Sequence, residues 1–154
     1  MRKLFSLIAA AALMMPGIAT ATDEAFLASI TVYSPIVITE TSALNFGVVT
    51  ASPVAQTVTV APADAGAASF NIAGQSGMPV TASVVETSLI MSNGATSITV
   101  DGFTYGGGLS AAGTATIGAQ GSLSGAAVGA SATVPANPAA GTYSGNLTFR
   151  VVYQ

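Results

Sequence analysis

Short apolar runs with alternating or β-branched residues recur along the chain, separated by clusters of glycine, proline, asparagine and serine. They are Ile36–Thr39, Leu44–Thr50, Gln56–Ala61, Ala68–Ile72, Val80–Val85, Ser97–Val100, Thr114–Ile117 and Ser131–Val134. Alternation with period two places every second side chain on one face, so each run predicts a strand with one face turned to a core. No stretch after residue 21 carries a helical period. Strands at this spacing, with such punctuation, predict an all-β chain folded as a β-sandwich. Pro53 and Pro62 remove ladder donors, and Ser92-Asn93-Gly94 and Asp101-Gly102 supply residues that tolerate positive φ. Residues 106–130, rich in Gly, Ala and Ser, predict a loop or a flat edge strand. Their glycine run is not a phosphate loop, because no Lys follows and no helix pattern opens after it.

The two ends of this pattern are the most informative. Near the C-terminus, Gly145, Leu147, Phe149, Val151 and Tyr153 alternate with Ser144, Asn146, Thr148, Arg150 and Val152. A ten-residue strand with one apolar face is expected, and no later residue could pair with its far edge. Gly141 suits the corner before it, and the Tyr143 hydroxyl is expected to tie that corner. Near the N-terminus, Phe26, Ala28, Ile30 and Val32 share one face of an extended run that starts at Thr22-Asp23-Glu24 and is interrupted by Pro35. Such a strand can fold back into its own sheet or add to the edge of another molecule's sheet. The pattern alone leaves both open.

Before this segment, Arg2 and Lys3 precede an apolar run from Leu4 to Met15, then Pro16-Gly17, then Ala19-Thr20-Ala21. This is the organisation of a secretory signal peptide, with cleavage expected after Ala21 and export through the Sec pathway. The run is too short to span a bilayer, so no transmembrane segment is expected after cleavage. The expected organisation is therefore a signal peptide (1–21), an N-terminal extension (22–34) and a β-sandwich domain (35–154).

Composition then narrows the chemistry. Only 6% of residues are charged, with no histidine and no cysteine, against about 25% charged in ordinary domains. General acid–base catalysis, thiol nucleophiles and most transition-metal sites lose their usual residues. Glu40, Glu86 and Asp101 are the spaced acids, each at an expected strand end, and they do not read as a catalytic carboxylate pair. Asp64 and Asp101 lie in no loop with serial oxygen ligands, so no calcium site is expected. No enzyme, cofactor, metal or nucleic-acid partner is expected, since phosphate binding needs clustered cations. Phe46, Phe149 and Tyr153 read as core or strand-end packing rather than ligand contacts. Residues 22–154 carry one basic side chain, Arg150, against six acids. Soluble monomers guard open strand edges with charge, Lys above all, and this chain has no Lys after residue 3. Edges filled by assembly would need no such guard.

Several motifs together carry a resemblance. Leu44-Asn45-Phe46-Gly47, Thr57-Val58-Thr59-Val60, Ala68-Ser69-Phe70 with Gly74, Ser97–Phe103 and the closing Gly141-Thr142-Tyr143-Ser144-Gly145 with Val151-Val152-Tyr153 resemble a family of secreted bacterial β-domains of unknown function. That family is similar to spore-coat-U-type and archaic chaperone–usher pilin subunits. The opening Ile30–Ile38, the Gly-x-Tyr-Ser-Gly motif and the lack of cysteine also resemble alpha-type fimbrial major subunits. The resemblance implies a pilin-type, immunoglobulin-like sandwich lacking its last strand, with an acceptor groove beside the C-terminal strand. It implies Phe26, Ala28, Ile30 and Val32 as donor residues and Leu147, Phe149, Val151 and Tyr153 as groove lining. It further implies a periplasmic chaperone, an outer-membrane usher and copies of the chain itself as partners. The function expected is a structural subunit of a surface fibre, supporting adhesion or biofilm. The alternative is a monomeric secreted or surface-attached sandwich completed by its own N-terminal strand.

Overall fold

The computed structural model describes residues 21–154, so the expected signal peptide lies almost wholly outside the described residues. The chain divides into units 1–31 and 32–154. Of the first, residues 21–31 contain no strand or helix and their side chains are exposed. The second holds nine strands: β1 (Val37–Ser42), β2 (Gln56–Val60), β3 (Ala68–Ala73), β4 (Pro79–Val84), β5 (Leu89–Ser92), β6 (Ser97–Gly107), β7 (Thr114–Thr116), β8 (Ser122–Val134) and β9 (Phe149–Tyr153). The described residues are all-β, and none of them forms a helix long and apolar enough to cross a membrane.

The larger sheet runs β1-β3-β8-β6-β5, with β2 also paired to β8; the smaller runs β7-β4-β9, and every pairing is antiparallel. Strand β8 is long enough to hold two partners end to end on one side. Val134 to Ala130 pair with β2 and Val128 to Ser122 with β3, while β6 takes the other side. Residues 61–67 connect β2 to β3 as a turn. Asp64 fastens it, accepting from the Ala61 N–H at 2.8 Å while its own N–H donates to the Ala61 carbonyl.

The centre of the larger sheet corrects the expectation of a loop or flat edge strand for residues 106–130. Ala126, Ala127, Val128, Gly129 and Ala130 are consecutively buried in the central strand. The even positions face the core, while Gly129 is overlaid by the chain leaving β2. A Cβ there would lie 2.9 Å from both the Ala61 carbonyl carbon and the Pro62 nitrogen. With both faces covered, small side chains are required, and they erase the alternation by which a strand is recognised.

The two sheets pack face to face, consistent with a β-sandwich. Ile72 of β3 and Ala126 of β8 share a core with Val80 and Ala82 of β4 and Val151 of β9. The Phe70 and Phe149 rings stack across it, 4.2 Å between centroids and 9° from parallel. Tyr105 of β6 crosses the same gap, its hydroxyl accepting from the Val84 N–H at 3.0 Å. A second core forms around Ile98, Val100, Ala130, Ala132 and Val134. It is covered by Leu44, Phe46, Val49 and Tyr143, none of which lies in a strand.

Several elements differ from the sequence expectation: the extended run at 26–33 forms no strand, and β6 continues past Val100 to Gly107, absorbing Asp101-Gly102 at a shift in register. Leu44–Thr50 is irregular, because Asn45 bonds within its own segment, accepting from the Gly47 N–H at 2.8 Å, and Gly47 takes φ of +75°. This Asx turn bends the chain while leaving Leu44 and Phe46 on the second core. The strand β5 was not expected, although Asn93-Gly94 between Leu89–Ser92 and Ser97–Val100 is a hairpin signal. The expected ten-residue C-terminal strand shortens to Phe149–Tyr153, since residues 143–147 make no ladder beyond an isolated bridge between Ser144 and Ser92.

Candidate functional site

The second core is open where the smaller sheet stops. Between the irregular segment 43–51 and the approach to β9 lie two adjoining apolar clefts that share Leu44, Phe46 and Met91. The first, about 290 Å³, lies between Leu44 and Phe46 on one wall and Leu147 and Phe149 on the other, over Val100 and Val128. The second, about 470 Å³, lies between Phe46–Val49 and Pro138–Tyr143, over Ile98, Ala132 and Val134. The opening motif Leu44-Asn45-Phe46-Gly47 and the closing Gly141-Thr142-Tyr143 thus face one another across the same space.

Hydrogen bonds hold the closing wall. The Tyr143 hydroxyl donates to the Ala139 carbonyl at 2.8 Å and contacts the Thr96 hydroxyl, whose oxygen also accepts from the Ala139 N–H at 3.1 Å. The tyrosine corner expected from the sequence is present. Further along, the Thr148 N–H donates to the Glu86 carboxylate at 2.8 Å, the Val85 N–H to the Thr148 carbonyl at 2.9 Å, and the Gln154 N–H to the Pro79 carbonyl at 3.1 Å. Even-numbered residues therefore direct their backbone groups toward β4. Successive residues of a strand alternate edges, so Leu147, Phe149 and Val151 direct theirs to the opposite edge. Among the described residues no strand pairs there.

The titration of Glu86 is displaced. The bond from the Thr148 N–H, with the Arg150 charge as a smaller contribution, holds its carboxyl below the ordinary value of 4.5. A lowered carboxyl stabilises the fold above its unfolded pKa, and that contribution is lost as pH falls through the folded pKa. Thermal melts of wild type and Glu86→Gln are thus expected to differ at pH 7, wild type being the more stable, and to draw together as pH falls below 4.5 and through the lowered folded pKa. A difference that persists at pH 3 would contradict this role.

The residues expected to line a groove divide. Leu147 and Phe149 border the first cleft. Val151 is buried between the sheets, and Tyr153 is a fastener: its hydroxyl accepts from the Gln75 N–H at 2.6 Å and donates to the Ser34 carbonyl at 2.7 Å. The Tyr33 ring rests 5.8 Å from that of Tyr153. Phe26, Ile30 and Val32 are 90%, 89% and 81% exposed, and Ala28 is exposed as well. The spaced acids stay apart in role, Glu40 exposed on β1 and Asp101 exposed on β6. Sequence reasoning missed Leu89 and Met91 of β5, which line the clefts from below.

Comparison with known proteins finds no matching curated protein and no matching solved structure. Residues 36–153 match a family described as a domain of unknown function, a span holding all nine strands and both clefts but not the segment 22–35. The chain therefore belongs to the DUF4402 family.

Proposed function

We propose that this protein is a structural subunit of a bacterial surface fibre with a pilin-type fold, assembled by intermolecular β-strand addition. Phe26, Ala28, Ile30 and Val32 of one copy enter the clefts of the next, and the backbone of that segment pairs with the open edge at Leu147 and Phe149. The observation that carries this reading is the conjunction of an apolar cleft with an unpaired edge along it. Apolar side chains on alternate donor positions would fill the cleft while main-chain hydrogen bonds complete the ladder. The scarcity of charge supports it too, since an edge covered in a fibre needs no lysine guard. On this reading the chain is exported by the Sec pathway, its signal peptide is removed, and it performs no catalysis. A periplasmic chaperone and an outer-membrane usher are the transient partners, and the surface fibre supports adhesion or biofilm.

The test compares the chain beginning at Thr22 with one beginning at Ser34, each examined by light scattering and by binding of a synthetic 22–33 peptide. Polymers from the longer chain, lost on truncation, with peptide capture by the shorter form, are expected. A longer chain that stays monomeric, and whose truncation merely unfolds it, would instead establish the rival reading of a sandwich completed by its own strand.

A further inference from the structure

We infer that Arg150 sets the direction and register of the incoming strand by pairing with Asp23 of the neighbouring copy. This inference rests on the strand-addition reading and deepens it. Arg150 is the only basic residue among the described residues, and it lies exposed on β9 directly beyond the cleft-lining Phe149. Glu86 feels its charge but commits a carboxylate oxygen to the Thr148 N–H. On the segment 22–32, Asp23 and Glu24 are the only charged residues; both are exposed, and Ala25 separates them from Phe26.

Parity restricts the pairing. Along Tyr143–Phe149 the half-buried side chains are odd-numbered, with Asn146 also bordering the first cleft, the apolar donor positions Phe26–Val32 are even-numbered, and residues directly opposite in an antiparallel pair share a face. An antiparallel strand with Phe26 opposite Leu147 puts Ala28 opposite Gly145, Ile30 opposite Tyr143 and Val32 opposite Gly141. Phe26 then meets the first cleft, Ile30 and Val32 the second, and the smallest donor residue falls at Gly145, between them. Asp23 arrives opposite Arg150 on the outer face, while Glu24, of the same parity as Phe26, falls opposite Phe149 at the last rung of the ladder. A slip of two residues toward Phe149 opposes Arg150 with Ala25, and a slip the other way leaves Arg150 beyond Thr22, where the processed chain begins. A parallel strand carries both acids to the Tyr143 end, away from the only cation.

The test uses the chain from Thr22. Arg150→Glu and the pair Asp23→Lys with Glu24→Lys are each expected to slow assembly by roughly tenfold or more at low salt. Combining all three substitutions in one chain is expected to restore it to near the wild-type rate. Arg150→Gln, with an unchanged melting temperature, serves as the variant that keeps the fold. The chain has no cysteine, so Leu27→Cys with Asn146→Cys reads the register directly, and oxidation of the polymer is expected to link neighbouring copies. Wild-type polymers unaffected by charge reversal, or not rescued by the triple substitution, would overturn the pairing while leaving strand addition standing. Polymers without the disulfide would overturn the register. A wild-type chain that forms no polymer would overturn the strand-addition reading, and this inference with it.

Discussion

Phe26→Asp is expected to abolish assembly while leaving the melting temperature of the monomer unchanged. In the single chain Phe26 is 90% exposed, so a carboxylate there disturbs no packing, and exposed substitutions usually change stability by less than about 0.5 kcal/mol. In the fibre the same position would occupy the cleft between Leu44 and Leu147. The variant forfeits the burial of a phenyl ring, worth about 1.5–3 kcal/mol, and incurs the desolvation of a carboxylate, which costs several more. Together these weaken strand capture by at least about a thousandfold. Ile30→Asp, at 89% exposure, is expected to act in the same way against the second cleft. Light scattering of the chain from Thr22, with a parallel melt, gives both readouts. An assembly-competent Phe26→Asp variant would remove Phe26 from the donor set, and a destabilised monomer would show that this residue packs at home.

The second large effect concerns the fold itself. Gly129→Val is expected to destabilise the domain by about 3 kcal/mol or more and to lower the melting temperature by roughly 10 °C or more. Strand propensity alone gives the opposite sign, since valine is favoured and glycine disfavoured in strands. The tertiary arrangement decides the matter. A Cβ at position 129 collides with the Val60 carbonyl and lies 2.9 Å from both the Ala61 carbonyl carbon and the Pro62 nitrogen. These are backbone atoms of a turn fastened by Asp64, so no flexible side chain can move aside. Gly129→Ala is expected to show the same direction with a smaller amplitude. A Gly129→Val protein that melts within about 2 °C of wild type would show that the turn at 61–67 yields.

Much of the architecture was legible where side-chain alternation was strong. β2, β3, β4 and β7 fall within a residue or so of the apolar runs that predict them, because the first three have one face more buried than the other and Ala115 of β7 packs on the core. The Tyr143 corner was legible for a different reason, namely the local chemistry of a glycine and a tyrosine at a turn. The glycine- and alanine-rich stretch was not legible, since a strand covered on both faces shows no alternation. Nor was the outcome at Leu44–Thr50, where apolar alternation predicts a strand but Asn45 and Gly47 form a turn of their own.

The candidate site divides along the same line. From the sequence alone came the all-β class, the apolar faces of the two terminal segments, Arg150 as the single cation of residues 22–154 and the absence of histidine and cysteine. These are properties of residue types and their spacing, and no partner is needed to read them. Only the tertiary structure decided that Leu44 and Phe46 face Leu147 and Phe149 across a cleft, that Val151 and Tyr153 do not line it, and that Leu89 and Met91 of β5 do. The reason is physical. A strand's pattern states which face is apolar, but which edge stays open depends on what pairs beside it, and that is set by contacts between residues far apart in the chain.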